Sequence, residues 1–268
     1  MKTQEIFDRL WNDYSNQNPS AKKIKQLFEN EGENVINDHI AFRTYNDPRI
    51  NVDVLSKIFI KAGYVEKGQY HFEEKKLFAK HYELENDPMA PRIFISELQL
   101  EKCSDYLQFK VKEKIDEITD SVLNSDEIIF SGTSWSKPSY EVYTKLREES
   151  EYAAWLYVYG FRTNHFTVSV THLKKLNAME KVNEFLKSNG FIINSSGGEI
   201  KGTPSELLEQ SSIMADIVKV DFEEGTYAIP ACYYEFAKRY KDENGQLYSG
   251  FIAKSADKIF ESTNFYEK

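Results

Sequence analysis

Residue types that bind divalent cations recur in strand-like contexts along the chain. His39 lies in Asp38-His39-Ile40-Ala41-Phe42-Arg43-Thr44, and His165 in Asn164-His165-Phe166-Thr167-Val168-Ser169-Val170. Both segments alternate with a period of two, the signature of an extended strand with two unlike faces. His39, Ala41 and Arg43 share one face and Ile40 and Phe42 the other. In the second segment His165, Thr167 and Ser169 oppose Phe166, Val168 and Val170. Glu235 has a similar setting in Tyr233-Tyr234-Glu235-Phe236-Ala237, with Tyr234 and Phe236 on the opposite face. An ionised carboxylate buried without a partner is strongly unfavourable. A divalent cation is the simplest partner for two imidazoles and a carboxylate, at bond lengths of ~2.1 Å. Two histidines and one carboxylate on one face leave coordination positions open, as in non-haem Fe(II) oxygenases.

Each residue also has a plainer reading. His39 and His165 can be core histidines satisfied by backbone. Glu235 can pair with Arg239 if that segment is helical. Glu97, in Arg92-Ile93-Phe94-Ile95-Ser96-Glu97-Leu98, is the rival carboxylate ligand. Arg43 follows His39 by four residues, roughly 13 Å along a strand. A guanidinium pointing inward needs an anion. That anion is either an internal carboxylate or a substrate carboxylate held bidentately, the latter worth on the order of 1.5–3 kcal/mol. His71 and His81 have charged neighbours (Glu73, Glu74, Lys75, Lys76, Lys80) and are expected in solvent, and His172 in a loop. Cys232 has the opposite parity to Glu235 and is expected behind the sheet. The sequence has no Walker loop, no Gly-rich dinucleotide turn after a strand, no Gly-x-Ser-x-Gly elbow and no His-Glu-x-x-His. Ser195-Ser196-Gly197-Gly198 reads as a turn.

The elements that would position these residues repeat. Residues 4–32 predict two helices, with Ile6, Leu10 and Trp11 on one face of the first and Ile24, Leu27 and Phe28 on one face of the second. The strand around His39 is followed by a helix at about 52–61, stopped at Ala62-Gly63-Tyr64, then strands at 69–73, 76–83 and 92–98. Residues 104–123 predict a helix, and 141–159 a mostly helical stretch ended by Gly160. The strand around His165 is followed by a helix at about 176–188, stopped at Ser188-Asn189-Gly190-Phe191. Thr203-Pro204-Ser205-Glu206 fits a capping box. Strands follow at about 212–222 and 230–237, joined by Glu223-Glu224-Gly225-Thr226. Each unit thus runs Asx-His strand, helix, small-residue stop and further strands, ending in a Pro-led segment that carries a Glu (Pro91 to Glu97, Pro230 to Glu235). The period is too long for a solenoid. It suits two βαβββ modules that pair into one curved mixed sheet, an α+β architecture.

Composition narrows the classes. The chain has 268 residues, 41% hydrophobic and 14% aromatic, enough for a sizeable core. A net charge of −9 argues against nucleic acid or an anionic membrane as partner. Two cysteines, Cys103 and Cys232, build neither a disulfide framework nor a Cys-rich zinc site. No apolar run is long enough for a transmembrane helix, and Met1-Lys2-Thr3-Gln4-Glu5 leads into an amphipathic stretch rather than a signal core. The expected compartment is the cytoplasm. The expected organisation is a single compact domain: N-terminal helices at 1–34, a first module at 35–100, a helical insertion at 101–160, a second module at 161–240 and a tail at 241–268 packing near the site.

The segments 38–44, 151–155 with 164–167, and Pro230-Ala231-Cys232-Tyr233-Tyr234-Glu235-Phe236-Ala237 together resemble the 2-oxoadipate dioxygenase/decarboxylase (hydroxyglutarate synthase) family, over about residues 35–260. The resemblance implies a vicinal-oxygen-chelate fold. It implies Fe(II) held by His39, His165 and Glu235, and Arg43 binding the 2-oxo acid. The implied reaction converts 2-oxoadipate and O2 to 2-hydroxyglutarate and CO2. The chain is shorter than the longer members of the family, which bears on the substrate pocket. Ser255 is the tail residue expected to close that pocket, with Gln210 and Ser212 as weaker candidates. Two other activities fit the same fold: a metal-dependent isomerase or lyase of the glyoxalase type, and a non-catalytic cup for a small carboxylate.

Overall fold

The structure is a computed structural model, and it describes residues 2–263. An eight-stranded sheet in the order β2-β3-β4-β1-β5-β10-β7-β6 curls into a half-barrel. The first half comprises β1 (Asn37–Tyr45), α3 (Val52–Lys61), β2 (Tyr64–Phe72), β3 (Leu77–Leu84) and β4 (Arg92–Leu98). The second comprises β5 (Thr163–Ser169), α8 (Met179–Ser188), β6 (Lys201–Thr203), β7 (Leu208–Ser212) and β10 (Glu235–Arg239). From the junction outward, each half pairs its first strand in parallel with its last, β1 with β4 and β5 with β10. Antiparallel β3 and β2 then extend one side, and β7 and β6 the other. The two first strands run antiparallel. This is the two-fold arrangement of paired βαβββ modules that the repeat predicts.

Several helices pack on the convex side of the sheet. Helices α1 (Thr3–Gln17) and α2 (Pro19–Asn30) use the apolar faces read from their periodicity, burying Ile6, Leu10, Ile24 and Phe28. Trp11 and Tyr14 each pack 5.1 Å from Phe166, on the outward face of β5. The segment 104–123 is not one helix. It breaks into α4 (Asp105–Asp116) and α5 (Asp120–Leu123). Two further helices, α6 (Tyr140–Glu149) and α7 (Glu151–Tyr159), are separated only by Ser150, whose hydroxyl caps α7 through the Ala153 N–H. Helix α7 is buried from Tyr152 onward. Gly160 ends it at φ +65°, where a Cβ would lie 2.1 Å from the Gly132 carbonyl oxygen, so only glycine fits.

The strands after Gly198 differ from expectation. The run read as 212–222 is two elements, because Ala215 and Asp216 turn out of the sheet and Asp216 accepts from the Ser20 N–H and hydroxyl. Strands β8 (Ile217–Phe222) and β9 (Gly225–Pro230) form a separate hairpin inserted between β7 and β10. The strand expected over 230–237 therefore splits, with Pro230 ending β9 and Glu235 opening β10. Of the expected Thr203 capping box, the hydroxyl cap is present, accepting from the Glu206 N–H, but the Glu206 carboxylate accepts from the Thr203 hydroxyl and the cap begins a single 3₁₀ turn. Leu207 ends that turn in the left-handed region at φ +64°. Helix α9 (Ala253–Phe260) and a 3₁₀ turn at Glu261–Thr263 close the described chain. The helix buries Ser255, Ala256, Ile259 and Phe260 against β2, β6 and β7. Residues 264–268 of the tail lie outside the described residues.

Candidate metal centre

Register brings the three expected ligands together on the concave face. His39 on β1 and Glu235 on β10 both pair with Thr167 of β5, one from each side, and His165 pairs with Ala41 of β1. Paired residues face the same way, so all three side chains enter the half-barrel. Each is buried. Their ligating atoms lie within 4.8 Å of one another. Glu235 Oε2 is 3.1 Å from His165 Nε2, and Oε1 is 3.6 Å from His39 Nε2.

The residue before each histidine fixes its ring. Asp38 Oδ1 lies 2.8 Å from His39 Nδ1, and Asn164 Oδ1 lies 2.9 Å from His165 Nδ1. Both oxygens are acceptors, so each Nδ1 donates and each Nε2 is left as an acceptor; that of His39 lies 3.0 Å from the Thr167 hydroxyl, and that of His165 faces Glu235. Burial depresses the His165 pKa, although Glu235 opposes the shift. A neutral imidazole and a carboxylate then face each other at 3.1 Å with acceptors on both sides. That arrangement needs a proton or a cation between the two groups, and this donor set fits a divalent metal. Burial alone would raise the Glu235 pKa, but the two histidines and the Gln210 amide hold the carboxyl below its usual range. Gln210 Nε2 donates to Glu235 Oε1 at 2.7 Å.

Asp38 is itself held. Arg239 forks onto it through Nε and Nη2, at 2.8 and 3.0 Å, and donates from Nη1 to the carbonyls of Tyr248 and Gly250. Burial works against the Asp38 charge, yet Arg239 and His39 keep its pKa far below the ordinary value. Arg239 does not pair with Glu235, because β10 is a strand and residues four apart on it are roughly 13 Å apart. The segment Arg239 holds places Phe251 edge-on to His39, 4.9 Å between ring centroids.

Arg43 is fully buried and only partly satisfied. Nη1 donates to Glu151 at 3.1 Å, while Nε and Nη2 have no partner. The guanidinium lies over the rings of Tyr152, Trp155 and Phe260. The internal carboxylate expected for Arg43 is present but takes one donor, and Nε and Nη2 are buried without a protein partner. Glu97 is outside the centre. It pairs with Thr44, on the face opposite His39, and accepts from the Val52 N–H at the start of α3 at 2.9 Å. Burial pushes its carboxyl pKa up.

His81 is not in solvent as expected. It pairs with Phe94 on the concave face, is covered by Phe251, and bonds Tyr70 through Nδ1 and Glu83 through Nε2. The charged neighbours that suggested exposure belong to the opposite face and the adjoining turn. His71 is exposed, and His172 ends a 3₁₀ turn with Nδ1 on Ser169 Oγ. Cys232 is buried, just before β10, and burial pushes its thiol up to about 12. Ser212 Oγ bonds Ser262, and Ser255 Oγ packs against Gly202 of β6. Neither serine belongs to the metal group.

Two residues near the centre carry no role in the sequence reading. Lys201 on β6 pairs with Gln210, is buried, and donates to the Asn194 carbonyl. Burial lowers its pKa to about 8. A three-residue edge strand has no periodicity to betray it. Tyr233 stacks on His165 at 4.8 Å. Its position two residues before Glu235 was the available signal.

With this geometry in place, the relatives of the chain are informative. The family model for 2-oxoadipate dioxygenase/decarboxylase matches residues 6–245. The chloroplastic 2-oxoadipate dioxygenase/decarboxylase of Arabidopsis thaliana is 34% identical, over 97% of this chain and 77% of that protein. The crystal structure of hydroxyglutarate synthase from Oryza sativa, in complex with 2-oxoadipate, superposes with a TM-score of 0.91 at 34% identity, covering 97% of this chain and 91% of that one. A crystal structure from Shewanella frigidimarina, provisionally labelled a hydrolase, gives 0.88 at 49% identity, covering 93% and 97%. A glyoxalase superfamily protein from Ralstonia eutropha gives 0.76 at 20% identity, covering 90% and 83%, which shows the shared fold. The chain belongs to the 2-oxoadipate dioxygenase/decarboxylase family.

Proposed function

We propose that the protein is an Fe(II)-dependent 2-oxo acid dioxygenase/decarboxylase converting 2-oxoadipate and O2 to 2-hydroxyglutarate and CO2. The observation that carries this reading is the convergence of two imidazoles and a buried carboxylate within 4.8 Å, beside an arginine with two unused donors. A bound ferrous ion would supply the O2 chemistry and polarise the 2-oxo acid. The chain's own residues do the rest. Asp38 and Asn164 fix the ring orientations of His39 and His165, and Gln210 fixes Glu235. Two neutral imidazoles and one carboxylate leave a divalent ion with one net positive charge, which attracts an anionic substrate. Arg43 adds a second positive charge, and Nε and Nη2 are free to hold a substrate carboxylate. Glu151 and the rings of Tyr152, Trp155 and Phe260 fix the guanidinium and exclude water around it.

The test loads the protein with ferrous iron and follows O2 uptake, CO2 release and 2-hydroxyglutarate together. One O2 consumed per CO2 released with 2-oxoadipate is expected. A fully iron-loaded protein that turns over no member of a 2-oxo acid panel would overturn the reading. Activity that needs no O2 and persists with zinc or nickel would point instead to isomerase or lyase chemistry.

A further inference from the structure

Several buried tyrosines of this protein give their hydroxyl to a backbone carbonyl, whereas those of Tyr82, Tyr233 and Tyr234 have no partner. Tyr14 donates to the Tyr233 carbonyl, Tyr45 to Ala153, Tyr64 to Pro91 and Tyr152 to Ser96. The Tyr233 hydroxyl is buried and has no partner. Tyr234, the next residue, also lacks one, but it packs behind the sheet against Trp11 and Tyr14, away from the centre. Tyr233 shares the concave side with Glu235, and its ring stacks on His165 with an interplanar angle of 26°. That imidazole is itself fixed by Asn164, so the phenol is held in a defined position relative to a metal ligand. The phenol lies within electrostatic reach of both the Glu235 carboxylate and the Arg43 guanidinium. Three buried donors are thus unused on one side of the centre: Nε and Nη2 of Arg43 and the Tyr233 hydroxyl. A carboxylate carries only acceptors and can satisfy several donors at once.

We propose that Tyr233 is a substrate-binding residue whose hydroxyl donates, beside Nε and Nη2 of Arg43, to a carboxylate of the 2-oxo acid. The assignment rests on the 2-oxo acid reading above and adds to it a determinant of affinity. Phenylalanine would fill the same volume and keep the stack on His165, so the hydroxyl serves the ligand rather than the fold.

Tyr233→Phe separates these roles. Without substrate, the metal-free variant melts at the wild-type temperature or above, because its hydroxyl has no protein partner to lose. In O2-free calorimetry of the iron-loaded proteins, 2-oxoadipate binds the variant about tenfold more weakly, equivalent to about 1.4 kcal/mol. Under turnover KM rises by a similar factor. Binding within twofold of wild type overturns the assignment, and so does a melting temperature several degrees lower, which would reveal a structural partner. If the wild type binds 2-oxoadipate but consumes no O2, the dioxygenase reading falls and Tyr233 is judged on binding alone. If the wild type binds no 2-oxo acid, both fall.

Discussion

Two carboxylates competed for the role of third ligand, and strand parity within each segment does not choose between them. Glu97 and Glu235 both lie in strands with apolar neighbours. Register chooses. Glu235 pairs with Thr167, the residue that also pairs with His39, whereas Glu97 pairs with Thr44 on the other face. Register is a long-range property of the sheet, so alternation alone left Glu97 and Glu235 open and only the family resemblance favoured Glu235. His39, His165 and Arg43 were legible, because alternation alone puts each on the less apolar face of its strand. The two acids should therefore respond oppositely. Glu97→Ala removes the acceptor for the Val52 N–H and costs about 1–2 kcal/mol of stability, with metal content unchanged. Glu97→Gln keeps an acceptor oxygen and costs less. Glu235→Gln keeps the fold, and its metal content falls to background after anaerobic iron loading. Urea unfolding and metal analysis read both effects. Loss of metal in Glu97→Ala with retention in Glu235→Gln would reverse the assignment.

Elements with strong local signals were read almost to the residue: α3 before its Ala62-Gly63-Tyr64 stop, and β4 after Pro91. The elements after Gly198 were not, because their boundaries depend on tertiary contacts such as Asp216 with Ser20. The edge strand β6 hides the clearest electrostatic cost, a buried lysine. Lys201 has a native pKa of about 8, against roughly 10.4 for a free lysine. Below pH 8 both folded and unfolded chains carry the proton, and the cost of burying the charge is constant. Between about pH 8 and 10.5 the unfolded chain stays protonated while the native one does not, so stability rises with pH there. Lys201→Met lacks this term. Wild type should gain about 2 kcal/mol relative to Lys201→Met between pH 7.5 and 10, after discounting for partial solvent access. Denaturant unfolding across that range measures it, and parallel pH profiles would show that the ammonium is not buried in solution.

At the scale of the molecule, the duplication explains why the centre sits where the halves meet. Strands β1 and β5 open their respective halves, run antiparallel at the junction, and carry one histidine each after an Asx residue. Neither half alone holds more than one imidazole of the group, so metal binding must report on both. A ligand that binds only the native state stabilises it by about 2.7 kcal/mol at one hundred times its dissociation constant. For a chain of this size that corresponds to roughly 5–10 °C in melting temperature. Zinc or nickel, which undergo no oxidation under these conditions, should therefore raise the wild-type melting temperature by that amount. His39→Ala and His165→Ala should each abolish the whole increment rather than half of it, because one imidazole and one carboxylate bind far more weakly than the complete set. Differential scanning calorimetry with and without metal decides the point. If either variant keeps half of the increment, the two sides bind metal independently, and the junction of the modules is not a single centre.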